Sequence, residues 1–357
     1  MSNKKNVVVI GYGGMGGWHT RRIIDSDVVS LLGIYDIKPA RSELAESRGI
    51  HAYPSFEAVL EDPSAEILVL AVPNELHRPL AIEALAAGKH VISEKPVALS
   101  SEELADMIAA SEKSGRLFTV HQNRRWDEDY LMMERLYRSG ELGEVFEVES
   151  RVQGSRGIPG DWRGKKEHGG GMILDWGVHL IDQMVRIVGD KKIERVYCRC
   201  EHITNAEVDD GFHLDLYFED DVTARIEVGT SNFISLPRFY MRGTNGSATI
   251  ATHASDAHVV CCSGVEEGEV TPIVTAAGLT KTMAPRTKES IHEYDIPKPT
   301  SDVHDFYRNV VKAIDGEESQ LITHRQVMRV MKIMEAALAS DLAKAPIPFN
   351  DDLAEKR

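Results

Sequence analysis

The chain has 357 residues, which at about 150 residues per domain predicts two domains, each long enough to bury a core without disulfide or metal staples. The 41 Lys and Arg against 56 Asp and Glu give a formal charge of −15, so the surface repels phosphate backbones and anionic lipid, and nucleic-acid or membrane-surface partners are excluded. Apolar residues make up 42% and charged residues 27%, the balance of a soluble globular protein rather than a disordered one.

The start, Met1 to Asn6, leads into only four apolar residues, Val7 to Ile10, too few for a signal-peptide core. The longest apolar run, Ile67 to Val72, is far short of a bilayer span, so a cytoplasmic protein is expected. Asn6–Ile10 reads as a strand, His19–Ser26 as a helix, Ser30–Tyr35 as a strand and Ala40–Arg48 as a helix. Ile67–Val72 has the continuous apolar character of a strand buried on both faces. Leu80–Ala87 is helical and stops at Gly88, His90–Ser93 is a strand, and Ser100 with Glu103 forms a capping box opening a helix to Lys113. Leu117–Val120 closes the series. Alternation of this kind predicts a doubly wound parallel sheet, a Rossmann domain over residues 1–122.

After Gln122 the pattern changes. Tyr130–Ser139 is a helix, Gly143–Val152 a strand, Gly154–Gly171 a glycine-rich loop, and Met172–Val188 a helix. Strands then dominate: Ile193–Cys200, Phe212–Phe218, Val222–Gly229, Arg238–Arg242 and Ala248–Ala251, with Asp220-Asp221 as a hairpin turn. Ser263–Lys298 lacks periodicity and is expected to be a surface excursion, before closing helices at Asp302–Ala313 and His324–Lys344. Residues 123–357 thus read as an α+β domain around a large, mostly antiparallel open sheet. The four cysteines, Cys198, Cys200, Cys261 and Cys262, contain no Cys-x-x-Cys pair; they are expected to be reduced and packed, and no metal site is expected.

Gly11-Tyr12-Gly13-Gly14-Met15-Gly16 places G-x-G-x-x-G directly between a strand and a helix. Gly11 permits the tight turn, Gly13 lets backbone approach a diphosphate, and Gly16 lets helix pack on strand. The diphosphate then lies on free N–H groups at the helix start, where Tyr12, Gly14 and Met15 complete the loop. Asp36, with Ile37 beside it, ends the second strand about twenty residues on, and a carboxylate there accepts a ribose diol and repels a 2′-phosphate. NAD is therefore favoured, while Lys38 and Arg41 leave NADP open.

Ser93-Glu94-Lys95-Pro96 ends a strand, and ligands of such sheets bind beyond the carboxyl ends, so Lys95 is expected to point into the crevice. Pro96 fixes the backbone there, with a cis bond as one option. Asp175 and His179 lie four apart on a predicted helix and share a face. A histidine oriented by a carboxylate can take a hydroxyl proton, and a nearby cation can hold the developing alkoxide. His304 and His168 are read as packed or loop residues.

Together with Val72-Pro73-Asn74-Glu75-Leu76-His77, Asn123-Arg124-Arg125-Trp126-Asp127, Gly169–His179 and the closing helix around Arg325–Glu335, these residues make the chain resemble the glucose–fructose oxidoreductase / inositol dehydrogenase family over nearly its whole length. That resemblance implies Lys95 and His179 as the catalytic pair, assisted by Asp175. It implies Asn74, His77 and Glu94, with Val72, Pro73 and Gln122, at the nicotinamide end. Asn123, Arg124, Trp162 and Arg163 border the substrate pocket. The Asn123–Asp127 string is most similar to the scyllo-inositol dehydrogenase branch, which often uses NADP, whereas Asp36 points the other way. Dimers or tetramers through the open face of the second sheet are also implied. A histidine titrates near the working pH, and a lysine would have to fall by about three units, so His179 is read as the base and Lys95 as the group that orients the hydroxyl, with the reverse left open. The expected activity is hydride transfer between NAD(P) and a ring secondary alcohol of a sugar, glycoside or cyclitol. A redox-assisted glycosidase and a non-catalytic dinucleotide and sugar sensor are the alternatives.

Overall fold

The computed structural model describes residues 4–263 and 270–354; residues 1–3, 264–269 (within the stretch read as a surface excursion) and 355–357 lie outside it. The first lobe runs β1 (Lys5–Ile10), α1 (Gly14–Ile24), β2 (Val29–Tyr35), α2 (Pro39–Glu46), α3 (Phe56–Glu61), β3 (Ile67–Leu70), α4 (His77–Ala86), β4 (His90–Ser93), α5 (Ser101–Ser114), β5 (Phe118–Val120). The strands are parallel in the order β2-β1-β3-β4-β5, so the chain reverses direction across the sheet beside β1. Val7, Val8 and Val9 and all of Ile67–Leu70 are fully buried, as continuous apolar strands covered on both faces must be.

Helix boundaries differ from expectation where glycine or brevity hides them. α1 begins at Gly14 rather than His19, because Gly14 to Gly17 carry no apolar period although they already turn helically. The six-residue α3, capped by Ser55, is too short for a periodic signal. At α5 the Ser100 hydroxyl caps Glu103 N at 3.2 Å, but the Glu103 carboxylate returns to Leu99 N at 2.9 Å, one residue before the box position.

The second lobe contains α6 (Glu128–Ser139), β6 (Val145–Gln153), α7 (Val178–Val188), β7 (Ile193–Glu201), β8 (Gly211–Phe218), β9 (Thr223–Gly229), β10 (Phe239–Gly243), β11 (Gly246–Ile250), β12 (Ala257–Cys262), β13 (Ile273–Thr275), β14 (Gly278–Thr280), β15 (Ile291–Ile296), α8 (His304–Ile314), α9 (His324–Ala343) and β16 (Ile347–Pro348). Among the described residues its sheet has nine strands, β15-β12-β11-β10-β6-β9-β8-β7-β16, with β6 and β9 parallel and the other pairs antiparallel. β8 alternates buried and part-exposed residues, and α7 and α9 cover the inner face. The surface-excursion expectation is corrected in part. Ile291–Ile296 pairs with Ala257–Cys262 as an edge strand, register Ala257↔Ile296. None of its residues is buried, so the alternation that would mark a half-buried strand is missing. All four cysteines are free.

The closing helices return to the first lobe. Tyr307 on α8 reaches His19 on α1 (2.5 Å), and Glu335 on α9 receives Ser101 N and Oγ at the start of α5 (2.6 and 2.8 Å). The two lobes are thereby held as one frame around the gap between their sheets.

Asp220 and Asp221 form the expected hairpin turn with φ +60° and +57°. Asp220 is ion-paired to Lys191 at 2.6 Å, whereas Asp221 is an exposed aspartate held left-handed, where a Cβ is unfavourable. Asp221→Gly is expected to raise the unfolding free energy by about 0.5 kcal/mol, the relief of the left-handed strain less the extra glycine entropy. Urea titration reads this directly, and a loss of stability would show that the turn at 221 is not strained.

Candidate active site

Every cofactor residue expected in the first lobe lies just beyond the carboxyl end of a parallel strand, which gathers them at one edge of the sheet. After β1, Gly11 adopts φ +90° and donates to Tyr35 O at 2.7 Å, and a Cβ on Gly16 would run into the Gly11 carbonyl. Gly13 and Gly14 face open space, so the loop presents bare backbone. After β2, Asp36 accepts Tyr12 N at 2.7 Å and Lys38 N at 2.9 Å. Two carboxylate oxygens offer about four acceptor sites, so capacity for a diol remains. Tyr12 is buried, while Met15 and Ile37 lie exposed on the two sides of the loop.

The ends of β3, β4 and β5 form the next wall. His77 is buried with its ring nitrogens 3.0 Å from the carbonyls of Val72 and Pro96, so it braces Val72-Pro73 against the Lys95-Pro96 segment, whose peptide is cis. Asn74 donates to the carbonyls of His168 (3.0 Å) and Gly169 (3.3 Å) and ties this wall to the glycine-rich loop. Buried Glu94 receives His19 and His121 on one oxygen, each at 2.8 Å, and Lys95 N on the other at 3.2 Å. Burial acts to raise the Glu94 pKa, but His121 and His19 outweigh it and hold the carboxyl well below its usual range. Three ligand-type atoms come within 4.8 Å here, yet both imidazoles share a single oxygen at hydrogen-bond distance, the geometry of a proton-linked brace rather than of metal coordination.

Across the gap the second lobe supplies the reacting face. Lys95 Nζ lies 3.2 Å from Asp175 Oδ1 and 3.1 Å from the Asp175 carbonyl. The other Asp175 oxygen accepts Arg163 Nε at 2.9 Å, and Arg163, packed over Trp162, also pairs with Asp161 at 2.8 Å. Asp175 therefore does not orient His179, as the shared helix face predicts. Its oxygens are committed to Lys95 and Arg163, and His179 Nδ1 is buried with no hydrogen-bond partner among the described residues. The local reason is a π-helical turn at Ile173–Gly177, which shifts the register between the two residues. Burial, then the Lys95 and Arg124 cations, push the His179 pKa well below the usual histidine range, leaving a neutral ring that can accept a proton. Burial raises the Asp175 pKa, but Lys95 and Arg163 overcome it and keep the carboxylate ionised. Arg124 packs 4.2 Å over the Trp176 ring and pairs with Asp127 at 3.0 Å.

Several buried polar atoms around this gap have no partner among the described residues: both amide atoms of Gln122, Asn123 Oδ1, Arg124 Nε, His121 Nε2 and His179 Nδ1. Each such atom costs about 1–3 kcal/mol unless a ligand satisfies it. The Gln122 amide has the donor and acceptor that a carboxamide matches, and the bare backbone of Gly13 and Gly14 leaves room for a diphosphate. The residues present thus fit a nicotinamide dinucleotide.

Two residues with structural roles at the site escaped the sequence reading. Arg125, inside the singled-out string, makes a buried bidentate pair with Asp182 on α7 (2.6 and 2.7 Å) and fixes the helix that carries His179. Asp209, from a distant loop, accepts Ile173 N at 2.8 Å on its carboxylate and Met172 N at 3.0 Å on its carbonyl, so it anchors the start of the π turn. Gly171, at φ +103°, lets it approach, since a Cβ there would strike Asp209 Oδ1. Nothing in a loop aspartate 34 residues after Asp175 signals this contact.

A dinucleotide sheet whose strand ends face a Lys–Asp pair and a neutral histidine defines an NAD-binding oxidoreductase. Residues 5–122 match the oxidoreductase family with an NAD-binding Rossmann fold, and residues 130–249 match the GFO/IDH/MocA C-terminal domain. The chain belongs to the Gfo/Idh/MocA oxidoreductase family. The structure of an NAD-binding protein from Listeria innocua is similar, with 40% identity, a TM-score of 0.93, and coverage of 97% of this chain and 99% of that one. The scyllo-inositol 2-dehydrogenase (NADP+) IolW of Bacillus subtilis is 25% identical over 345 residues, 96% of this chain and 95% of its own length. An uncharacterized oxidoreductase of Schizosaccharomyces pombe is 28% identical over 346 residues, 88% of this chain and 91% of its own. Among the described residues no helix is long and apolar enough to cross a membrane.

Asp209 also sets a pH dependence. Burial, partly countered by the backbone N–H groups of Ile173 and Met172, pushes its carboxyl up to about 7. A carboxyl raised above its unfolded value of about 3.9 favours the fold while protonated. That contribution is complete below about pH 4 and is lost as pH rises through about 7. Asp209→Asn keeps an acceptor for Ile173 but has no charge to bury. Its melting temperature relative to the native protein is expected to climb between about pH 5 and pH 8, whereas parallel curves would place the Asp209 titration elsewhere.

Proposed function

We propose that this protein transfers a hydride between NAD(P) and a ring secondary alcohol or ketone of a sugar, glycoside or cyclitol. The observation that carries the reading is the Lys95 ammonium, 3.2 Å from Asp175, beside the neutral, buried His179. In this reading residues 1–122 bind the dinucleotide through the Gly11–Gly16 loop, Asp36 and the strand ends, and residues 123–357 bind the substrate. When bound, the nicotinamide supplies a hydride acceptor. The Lys95 ammonium donates to the substrate oxygen and steadies the alkoxide that forms there. His179 takes the hydroxyl proton on a ring nitrogen, which its depressed basicity allows it to release again on the return reaction. Asp175 and Arg163 hold Lys95 at that oxygen. Asn123 and Arg124, with unpartnered polar atoms, and Trp162 border the hydroxyl-bearing ring. The name of the Bacillus relative, a cyclitol dehydrogenase, supports a polyhydroxylated ring.

Homo-oligomer formation through the outer face of the nine-stranded sheet belongs to the same proposal. That face carries an ion-paired ladder of both signs, Arg225 to Glu147 (2.9 Å) and Asp215 (3.3 Å), and Arg151 to Glu227 (3.4 Å), and a second copy can complement it. Light scattering at several concentrations tests this.

The activity is tested by NADH or NADPH formation on a panel of inositols, free sugars and glycosides. Lys95→Met and His179→Ala are each expected to lower kcat by about 10²- to 10⁴-fold while cofactor binding persists. Normal turnover in Lys95→Met would remove that residue from the mechanism. Release of an aglycone without net NADH would mark the redox-assisted glycosidase, and no turnover in either direction with any polyol would mark the sensor. Asp36→Ala is expected to shift selectivity toward NADP by roughly tenfold, because the carboxylate that repels a 2′-phosphate is gone.

A further inference from the structure

We propose that the substrate is larger than one polyol ring, and that an apolar-faced group attached to the reacting sugar seats in a separate cavity walled by Trp176, Met172, Val152 and Val228. This rests on the dehydrogenase reading above and deepens it. The cavity measures about 390 Å³, within the roughly 300–1,000 Å³ range of pockets that hold small ligands. It adjoins the catalytic gap through one side chain. Trp176 lies in the π turn right after Asp175, with its ring centroid 6.1 Å from that of His179 and one face covered by Arg124.

The two compartments differ in what they ask of a ligand. The catalytic gap holds the unpartnered polar atoms of Gln122, Asn123, Arg124 and His179. In the cavity floor the polar groups already satisfy one another. Gly154 N bonds Gly229 O (2.8 Å), Asn232 N bonds Gly154 O (2.7 Å), and Gly157 N bonds Thr230 O (2.9 Å). The Thr230 hydroxyl is committed to Asp210 O (2.7 Å), and Gln153 Oε1 accepts Leu236 N (2.7 Å). Apart from the exposed Ser155 and Arg156 side chains, what remains for a ligand is apolar side chain and indole edge. The loop stapled to this floor carries Phe233, Ile234 and Leu236, which are 88%, 86% and 51% exposed. Three large apolar side chains exposed on one loop mark an interaction site rather than ordinary surface. A polyol ring in the polar-hungry gap and an aryl or alkyl group in the apolar cavity would match both halves at once.

The test compares methyl and phenyl β-D-glucopyranosides and β-D-galactopyranosides, pairs that differ only in the group beyond the reacting ring. Phenyl glycosides are expected to show kcat/KM at least roughly tenfold above their methyl partners, chiefly through KM. Val152→Phe and the exposed Ser155→Trp, which fill the cavity, are expected to bring that ratio near one while methyl glycoside rates change by less than about twofold. Equal handling of both glycosides by the native protein, or an equal loss on both in the variants, overturns the inference and leaves the dehydrogenase reading standing. If Phe233→Ser lowers the oligomeric state and leaves the ratio unchanged, a second copy covers the rim, and the inference is likewise overturned. If no polyol is oxidised, calorimetry with phenyl β-D-glucopyranoside and NAD decides separately. Binding abolished by Ser155→Trp upholds the cavity as a subsite although the dehydrogenase reading has failed, and no binding sinks both.

Discussion

The salt bridge from Lys95 to Asp175 is the contact on which the site depends, because its two partners come from different sheets. Lys95 leaves the end of β4 in the dinucleotide lobe, and Asp175 lies in the π turn before α7 in the other. Both are largely shielded from water, with side chains 16% and 8% exposed. Shielding an ion pair carries a desolvation penalty of several kcal/mol per ion unless further hydrogen bonds compensate. They do so here through the Asp175 carbonyl on Lys95 and through Arg163 on the second carboxylate oxygen. One interaction thus fixes the lysine, the opening of the crevice and the start of the helix that bears His179. Burial first, and then the Lys95 charge, leave that imidazole uncharged.

Much of the first lobe was legible because its physics is local. A glycine-rich turn, a strand-ending aspartate and a continuous apolar strand announce themselves within a few residues, and His90–Ser93 forms over the span its pattern predicts. The hairpin at Asp220-Asp221 was equally local. The second lobe hid what depends on distant partners. β15 lies along an exposed edge and so lacks an apolar alternation. The π turn adds a register shift that leaves the apolar pattern of Met172 to Val188 unchanged, and with it moves Asp175 from His179 to Lys95 and Arg163. Asp209 could not be found at all, since only the fold brings it to Ile173.

The gap between the lobes is built of unlike surfaces. Its first-lobe wall is a set of braces: His77 spanning two carbonyls, Asn74 holding the glycine-rich loop, and Glu94 gripping two imidazoles. These groups are spent on holding shape. The polar capacity left over is concentrated on Gln122, Asn123, Arg124 and His179, where the proposed reading brings coenzyme and substrate together. Such a division lets rigid elements position the reactive side chains while a few uncommitted atoms choose the ligand.

The grip of Tyr307 on His19, across 288 positions of chain, has a bearing on how the protein comes into being. As the polypeptide leaves the ribosome, the complete parallel sheet emerges early, yet the buried histidine next to its glycine turn waits for a phenol synthesised nearly three hundred residues later. The start of α5 likewise waits 234 residues for Glu335. The amino-terminal lobe is therefore among the first parts translated and among the last to mature, and a nascent chain halted short of its closing helices would carry a nucleotide fold without its clasp.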